Sequence, residues 1–148
     1  MPPPNINDPF NLQRFIDAQK DVYETALGEL QAGRKQSHWM WFIFPQIAGL
    51  GASAMAQRYA ITSSEEAHAY VHHPVLGQRL RACTLALNAH AERTAREIFG
   101  SPDDLKFRSS LTLFSAVTPD ESVFDEALET FFDSVPDPLT TEKLESED

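Results

Sequence analysis

The chain contains the stretch Val123-Phe124-Asp125-Glu126-Ala127-Leu128-Glu129-Thr130-Phe131-Phe132, in which apolar residues recur at the i, i+1, i+4, i+5 spacing of one α-helical face. The carboxylates of Asp125, Glu126 and Glu129 fall on the opposite face. An acidic face opposite an apolar face is typical of a helix with one buried and one solvated side. The stretch therefore predicts an amphipathic helix and indicates an α-helical fold.

Start signals predict further helices upstream of this stretch. Asp8-Pro9 provides an N-cap acceptor followed by a proline at the first helical position, and apolar residues then recur at helical spacing as far as Leu30. This pattern predicts one helix of roughly 20 residues that ends near Gly33. Four other segments combine a capping side chain with acids in the first turn: Ser63-x-x-Glu66, Thr94-x-x-Glu97, Ser101-Pro102-Asp103-Asp104 and Thr118-Pro119-Asp120-Glu121.

Proline and glycine mark the remaining boundaries. Pro74 is expected to open a helix whose apolar stripe consists of Leu76, Leu80, Cys83 and Leu87. Gly49-Leu50-Gly51 is expected to form a turn before Ser53. Period-2 alternation, the mark of a strand, is conceivable only for residues 40–44.

These patterns predict an all-α, compact single domain of about seven helices without an extensive sheet. The helical domain is expected to span residues 9–140. It would lie between a disordered, proline-rich N-terminus at residues 1–8 and an acidic, solvated tail at residues 141–148. A chain of 148 residues can bury a core of its own without metal or disulfide bonds.

Charge is distributed unevenly along the chain. Residues 1–118 carry 11 basic and 11 acidic residues, whereas residues 119–148 carry Lys143 against 11 acidic residues, giving a net charge of −10. A neutral body with an acidic end repels a polyanion, so nucleic acid is not an expected partner.

The longest apolar run is the six residues Trp39 to Phe44, and the N-terminus lacks the basic and apolar regions of a signal peptide. Neither membrane association nor secretion is therefore expected. The single cysteine, Cys83, cannot form an intrachain disulfide, which makes the cytoplasm the expected location.

The least ordinary segment is Ser37-His38-Trp39-Met40-Trp41-Phe42-Ile43-Phe44-Pro45-Gln46, which holds both tryptophans. A helix would place Trp39, Phe42 and Ile43 on one face, and a strand would place His38 on the face opposite Trp39. Either conformation is expected to set the imidazole among aromatic rings. Such surroundings suit His38 for general acid or base chemistry or for stacking on a flat ligand. The alternative is a core helix in which buried His38 donates a hydrogen bond to a carbonyl.

Four runs of the chain carry a resemblance to a known family: Lys35-x-Ser37-His38-Trp39-Met40-Trp41-Phe42-Ile43-Phe44-Pro45-Gln46, Gly49-Leu50-Gly51-x-Ser53, Glu66-Ala67-x-Ala69-Tyr70-x-x-His73-Pro74-x-Leu76-Gly77-x-Arg79-Leu80, and Phe99-Gly100-x-Pro102-Asp103-Asp104-x-Lys106-x-Arg108-Ser109-Ser110-x-Thr112-Leu113-Phe114. From Phe10 to Thr140 the chain resembles the uncharacterised domain-of-unknown-function family 1810. The resemblance implies a mainly helical fold and no established activity. Some members carry a calpastatin-like label, but inhibitors of that kind are long, disordered and repetitive, unlike this short chain rich in core residues.

The polar residues within these runs are the candidate site residues. We expect a pocket lined by Trp39 or Trp41, with His38 and Gln46 as its polar contacts. Three cations are candidates to hold an anionic group: Arg79, Lys106 and Arg108. For Arg79 the competing explanation is an ion pair with a carboxylate, and for Lys106 it is a surface position.

Three weaker signals have ordinary structural explanations. His68-x-x-x-His72, with Glu65 before it, has a spacing that can bind zinc, but a polar helix face accounts for it better and no metal site is expected. Cys83 lies in an apolar stripe and is expected to be a small buried side chain. Ser109 and Ser110 are expected to hydrogen-bond the preceding helical turn.

Two functions are compatible with these patterns. In the first, the protein binds or processes a flat anionic small molecule in a pocket built around residues 37–46, with His38 as the catalytic group if there is catalysis; the sequence names no cofactor. In the second, the protein is an interaction module whose exposed tryptophans and phenylalanines dock on a partner while the acidic end selects a basic one.

Overall fold

The computed structural model describes residues 8–147, so the prediction of a disordered N-terminus falls outside the described residues except at Asp8. Ten helices occur within residues 8–147: α1 (Gln13–Gln19), α2 (Tyr23–Gln31), α3 (Met40–Ile43), α4 (Ala54–Arg58), α5 (Ser64–His72), α6 (Leu76–Asn88), α7 (Ala95–Phe99), α8 (Asp103–Ala116), α9 (Val123–Phe132) and α10 (Pro138–Glu145). The predicted all-α fold is confirmed, with more helices than the expected seven. In place of a sheet, the described chain has one isolated parallel bridge between Ile47 and Ile61.

The single long helix predicted after Asp8 is wrong, because the chain bends after Gln19 and forms two helices. Helix α1 packs against α3, whereas α2 packs against α6, and one straight helix would not reach both partners. The Gln19 side chain is buried at the bend, where its amide donates to the carbonyl oxygen of Phe42 (2.6 Å) and to the Tyr70 hydroxyl (3.1 Å). Tertiary hydrogen bonds thus override a continuous helical pattern.

Capping chemistry places several helix starts as predicted. Thr94 and Glu97 form a complete capping box at α7, in which each side chain accepts a hydrogen bond from the other residue's backbone N–H. Ser63 caps α5, but the Glu66 carboxylate turns to Thr62 and to the Arg14 guanidinium (2.8 Å) instead of completing a box. The second hydrogen bond of the predicted box, from the Ser63 N–H to the Glu66 side chain, is therefore absent.

Two other predicted starts lie too early in the chain. Helix α8 begins at Asp103 with no side-chain cap, so Ser101 does not cap it and Pro102 is not its first residue. Helix α9 begins only at Val123, because the Thr118 side chain turns back to the last turn of α8 and donates to the Phe114 carbonyl oxygen (2.7 Å). The apolar stripe of α9 faces the core as predicted.

Helix α8 is the centre of the packing, since α5, α7, α9 and α10 all contact it. Its residue Phe107 is fully buried and lies 4.7 Å from the ring of Phe99 and 4.9 Å from the ring of Phe44, measured between ring centroids. Aromatic rings from α9 complete the cluster. With Phe107 and residues 109–114 buried, α8 is anchored in the core, and its first turns reach the surface from there.

Helix α10 extends the fold beyond the boundary predicted at residue 140. The Asp137 side chain accepts a hydrogen bond from the Thr140 N–H and caps this helix, which continues to Glu145. Beyond it, the Glu147 carboxylate accepts a hydrogen bond from the Ser64 N–H (2.8 Å). Residues 141–145 are therefore helical and not a frayed tail. Within residues 8–147 we find no helix that is both long and apolar enough to span a bilayer.

Candidate functional site

A cleft of about 610 Å³ opens between α4, the first turns of α8 and the start of α10. We call it the α8–α10 cleft and define it by its lining residues: Gln46, Leu50, Gly51, Ala52, Ser53, Ala56, Pro102, Leu105, Lys106, Arg108, Ser109, Asp137, Pro138 and Leu139. Three of the predicted site residues meet here, namely Gln46, Lys106 and Arg108. Three separate parts of the sequence contribute to it, so it exists only in the folded chain.

Gln46 reaches the cleft because the parallel bridge fixes the backbone next to it. The Ile61 N–H donates to the Gln46 carbonyl oxygen (2.9 Å), and the Ala48 N–H donates to the Ile61 carbonyl oxygen (2.8 Å). After this bridge the chain turns at Gly49, whose φ of +94° lies in the left-handed region that favours glycine. The turn leads to the wall formed by residues 50–53.

Lys106 sits on the first turns of α8, between an aromatic ring and a carboxylate. Its Nζ lies 5.6 Å from the centroid of the Trp41 ring and 3.4 Å from Asp103 Oδ1. The other oxygen of Asp103 is 2.9 Å from Lys35 Nζ. Asp103 is thus shared between two lysines, which leaves positive charge at Lys106 incompletely neutralised. Trp41 is half-buried next to the cleft and does not line it.

Arg108 is oriented by backbone carbonyls. Its Nε donates to the Val135 carbonyl oxygen and its Nη2 to the Pro136 carbonyl oxygen, each at 2.8 Å. Within residues 8–147 no carboxylate lies at salt-bridge distance from this guanidinium. A guanidinium carries five N–H donors, so those not used on the loop between α9 and α10 are available to a ligand.

Asp137 and Ser109 join the two helical walls of the cleft, and sequence reasoning assigned Asp137 no role. Oδ2 of Asp137 accepts hydrogen bonds from the Ser109 hydroxyl (3.0 Å) and from both the N–H and the hydroxyl of Thr140. The Asp137 N–H donates to the Thr112 hydroxyl (2.9 Å). The dipeptide Asp137-Pro138 repeats the cap signal of Asp8-Pro9; the helix begins at the proline in α10, whereas α1 begins only at Gln13.

The structure contradicts both expectations for His38. Its side chain is exposed, neither enclosed by aromatic rings nor buried in a core helix, and it does not line the cleft. The cause is that α3 begins only at Met40, so residues 36–38 form a surface turn. Trp39 is 1% exposed, and its indole Nε1 donates to Glu29 (2.9 Å) instead of facing a pocket.

Glu29 is a structural residue that sequence reasoning missed. Its carboxylate accepts hydrogen bonds from the N–H groups of Gln36 and Ser37, from the Ser37 hydroxyl and from the Trp39 indole. Burial raises the pKa of this carboxyl, but the hydrogen bonds outweigh burial and bring the pKa down from 4.5 to about 2. An ionised Glu29 thus fixes the turn that carries His38 and Trp39.

Arg79 lies away from the cleft, on α6. Its Nη1 is 3.2 Å from the amide oxygen of Gln19, and its guanidinium lies over the Tyr23 ring at 4.7 Å from the ring centroid. Arg79 therefore supports the bend between α1 and α2. Within residues 8–147 Arg79 does not line the cleft, although the binding hypothesis required it to do so. It also forms no ion pair with a carboxylate, which was the competing explanation.

Two of the weaker sequence signals are the histidine pair His68 and His72 and the single cysteine, Cys83. His68 and His72 are exposed with ring centroids 4.1 Å apart, and no group of three His, Cys, Asp or Glu side chains suited to a metal occurs in the described part of the chain. Cys83 is buried, as predicted, and burial raises the pKa of its thiol to about 12 although Arg79 opposes the shift.

The two serines of α8 differ. The Ser109 hydroxyl lies 3.1 Å from the Leu105 carbonyl oxygen of the preceding turn, as predicted, and shares its one proton between this oxygen and Asp137 Oδ2 at 3.0 Å. The Ser110 hydroxyl is buried and makes no hydrogen bond within residues 8–147, so the same prediction is wrong there. It does not line the cleft.

The surface of exposed tryptophans and phenylalanines required by the interaction hypothesis is not found in the described part of the chain. Trp39 is buried and Trp41 is half-buried. The large apolar side chains that are exposed are aliphatic: Leu85, Leu105, Val135 and Leu139.

Comparison with known proteins gives a family and a solved relative. Residues 9–144 match the family model described as "Protein of unknown function (DUF1810)". The crystal structure of the conserved hypothetical protein Rv1873 from Mycobacterium tuberculosis is similar to this chain, with 48% sequence identity and a TM-score of 0.93. The alignment covers 95% of this chain and 100% of that one. Among curated proteins, none matches the chain. With a family model that spans nearly all of its length, the chain belongs to the DUF1810 family of proteins of unknown function.

Proposed function

We propose that the protein binds a small organic anion in the α8–α10 cleft. The observation that carries this proposal is the state of Arg108, a guanidinium fixed by two backbone carbonyls and left without a carboxylate partner in the described chain. An arginine so oriented loses little conformational freedom when it binds an oxyanion. Lys106 brings a second positive charge to the same wall.

The charge of the cleft supports this choice of ligand. Lys106 and Arg108 carry two positive charges in the lining, and Asp137 carries one negative charge. The lining therefore has a net charge of +1, in a chain whose net charge is −10. A local excess of positive charge on an acidic protein attracts anions to that place. Gln46 and Ser53 add polar groups that can hydrogen-bond an oxygen of the ligand.

The ligand does not need to be flat, contrary to the sequence-based hypothesis. That hypothesis depended on stacking against tryptophan, but Trp39 is buried and Trp41 lies beside the cleft with Lys106 near its ring. His38 lies outside the cleft, so we assign it no part in binding.

Thermal unfolding with a ligand panel tests the proposal. The panel contains acetate, benzoate, octanoate, adenosine monophosphate and inorganic phosphate, with benzamide and octanamide as uncharged analogues. A ligand at 100 times its dissociation constant stabilises the fold by about 2.7 kcal/mol, which raises the unfolding midpoint by about 5–10 °C in a domain of this size. We expect at least one anion to produce such a rise and the uncharged analogues to produce none.

Variants show whether the rise comes from the cleft. Lys106→Gln and Arg108→Gln should reduce the ligand-induced rise in midpoint. Each variant is compared with its own ligand-free midpoint, because Arg108 also holds the loop before α10 and its replacement can change the stability by itself. The matched controls Lys20→Gln and Arg96→Gln change exposed cations outside the cleft and should leave the rise intact. A panel without any effect, or equal responses in the cleft and control variants, would overturn the proposal.

A further inference from the structure

We infer that the ligand of the α8–α10 cleft is a monocarboxylate with an apolar body, an inference that rests on the proposed function. The starting observation is the distribution of exposed apolar side chains. Of the four large ones in the described chain, Leu105 and Leu139 line this cleft, at 55% and 57% exposure. Leu105 belongs to α8 and Leu139 to α10, so they stand on different walls.

Exposed leucines on two walls of one cleft offer a place for an apolar group of a ligand. Each of the two leucines is more than half exposed, so it has apolar surface whose burial by a ligand would be favourable. Solitary exposed leucines are common on protein surfaces, but these two share the lining of one concave site with Leu50 and Pro138. An alkyl or aryl group placed there would cover both side chains.

The polar part of the lining limits the charge of the ligand. The net charge of +1 balances one negative charge, and a second one would meet the carboxylate of Asp137. Hydrogen bonds from Ser109 and Thr140 to Oδ2 hold the Asp137 side chain in the wall of the cleft. A carboxylate, with one charge and a planar pair of oxygens, suits the donors left on Arg108. A phosphate monoester carries nearly two charges at neutral pH and suits the cleft less well.

Titration calorimetry with butyrate, hexanoate, octanoate and octyl phosphate tests this inference on the full chain. Burial of each added methylene should tighten carboxylate binding by up to about fourfold. Octanoate should then bind at least tenfold more tightly than butyrate, and more tightly than octyl phosphate.

The variant Leu139→Ser removes one apolar wall at an exposed position, so the fold is not at risk. It should weaken octanoate binding several-fold and leave butyrate binding nearly unchanged. Leu85→Ser is the matched control, because Leu85 is 56% exposed on α6 and does not line the cleft. It should bind both carboxylates like the wild type.

The outcomes separate this inference from the proposed function. If octyl phosphate or inorganic phosphate binds at the cleft and carboxylate chain length has no effect, anion binding stands and the monocarboxylate inference is wrong. Equal effects of Leu139→Ser and Leu85→Ser would also overturn the inference. If no anion binds at all, both proposals fail.

Discussion

A buried or half-buried carboxylate that accepts several hydrogen bonds stabilises the fold only while it is ionised. Glu29 is such a group, since four donors from residues 36–39 converge on it and its pKa is about 2. In the unfolded chain the same carboxyl takes up a proton at higher pH than in the folded chain. Its contribution is therefore complete above about pH 5 and is lost as the pH falls toward 2.

Glu29→Gln should reveal this contribution. The amide keeps the shape but removes the charge from the hydrogen bonds, so we expect a loss of about 1–2 kcal/mol in the free energy of unfolding at pH 7. The difference from wild type should shrink as the pH is lowered from 5 toward 2, because the wild type loses the charge as well. Urea unfolding at several pH values measures it, with Glu24→Gln, an exposed carboxyl on the same helix, as control. A difference that stays constant from pH 6 to pH 3 would contradict this role.

His38, unlike Glu29, is expected to contribute little to the stability of the fold, because its side chain is exposed. His38→Ala should change the free energy of unfolding by no more than about 0.5 kcal/mol, because an exposed side chain without a hydrogen bond contributes little. Trp39→Ala should cost about 3–5 kcal/mol, since Trp39 is 1% exposed in the core. Urea unfolding of the two variants compares neighbours in sequence with opposite burial. A loss above about 2 kcal/mol for His38→Ala would show that His38 is a structural residue after all.

At the scale of elements, α10 depends on Asp137 for its position. The carboxylate caps the helix and also bonds Ser109, so the start of α10 is tied to the cleft wall of α8. The adjacent backbone is tied to α8 as well, through Thr112. One side chain therefore both caps α10 and connects the start of this helix to α8.

Asp137→Ala should destabilise the protein by about 2 kcal/mol, the upper range for a lost N-cap, because the bond to Ser109 is lost with it. Asp137→Asn should keep most of the stability, since asparagine is an equally good cap. The control Glu142→Ala alters an exposed carboxyl of the same helix and should stay within about 0.5 kcal/mol of wild type. Chemical denaturation midpoints give the comparison; a similar loss for Asp137→Ala and Glu142→Ala would contradict the assigned role.

The elements also show what local sequence can predict. The capping box of α7 and the apolar stripe of α9 are encoded within a few residues, and both form where they were predicted. The bend after Gln19 is not local, because it depends on acceptors and donors supplied by Phe42, Tyr70 and Arg79. No pattern within residues 8–33 contains that information.

For the molecule as a whole, the composition of the candidate site was predictable in part and its location was not. The resemblance to a family singled out Gln46, Lys106 and Arg108, and the fold brings these three residues into one cleft. It also singled out His38, Trp39 and Arg79, which serve other parts of the structure or face solvent. The difference arises from packing: a cleft made by α4, α8 and α10 depends on contacts between segments up to about 90 residues apart in sequence.

The C-terminal region is strongly acidic, but the cleft next to it has a positive lining. Most of the net negative charge lies on the solvated face of α9 and in the residues that follow it. The cleft beside α10 nevertheless has a net positive lining, because α8 contributes Lys106 and Arg108. This contrast between the acidic C-terminal region and the positive lining is the charge pattern on which the proposed anion binding depends.

The most direct test of the account is an NMR titration of the isotope-labelled full chain with octanoate, which follows each backbone amide. We expect the largest shift changes in residues 46–53, 105–109 and 139, which frame the α8–α10 cleft. Amides of residues 36–39 and 79 should shift little, because they lie outside the cleft. Shift changes centred on residues 36–41, or none at octanoate concentrations well above those of the protein, would contradict the claim that this cleft binds an organic anion.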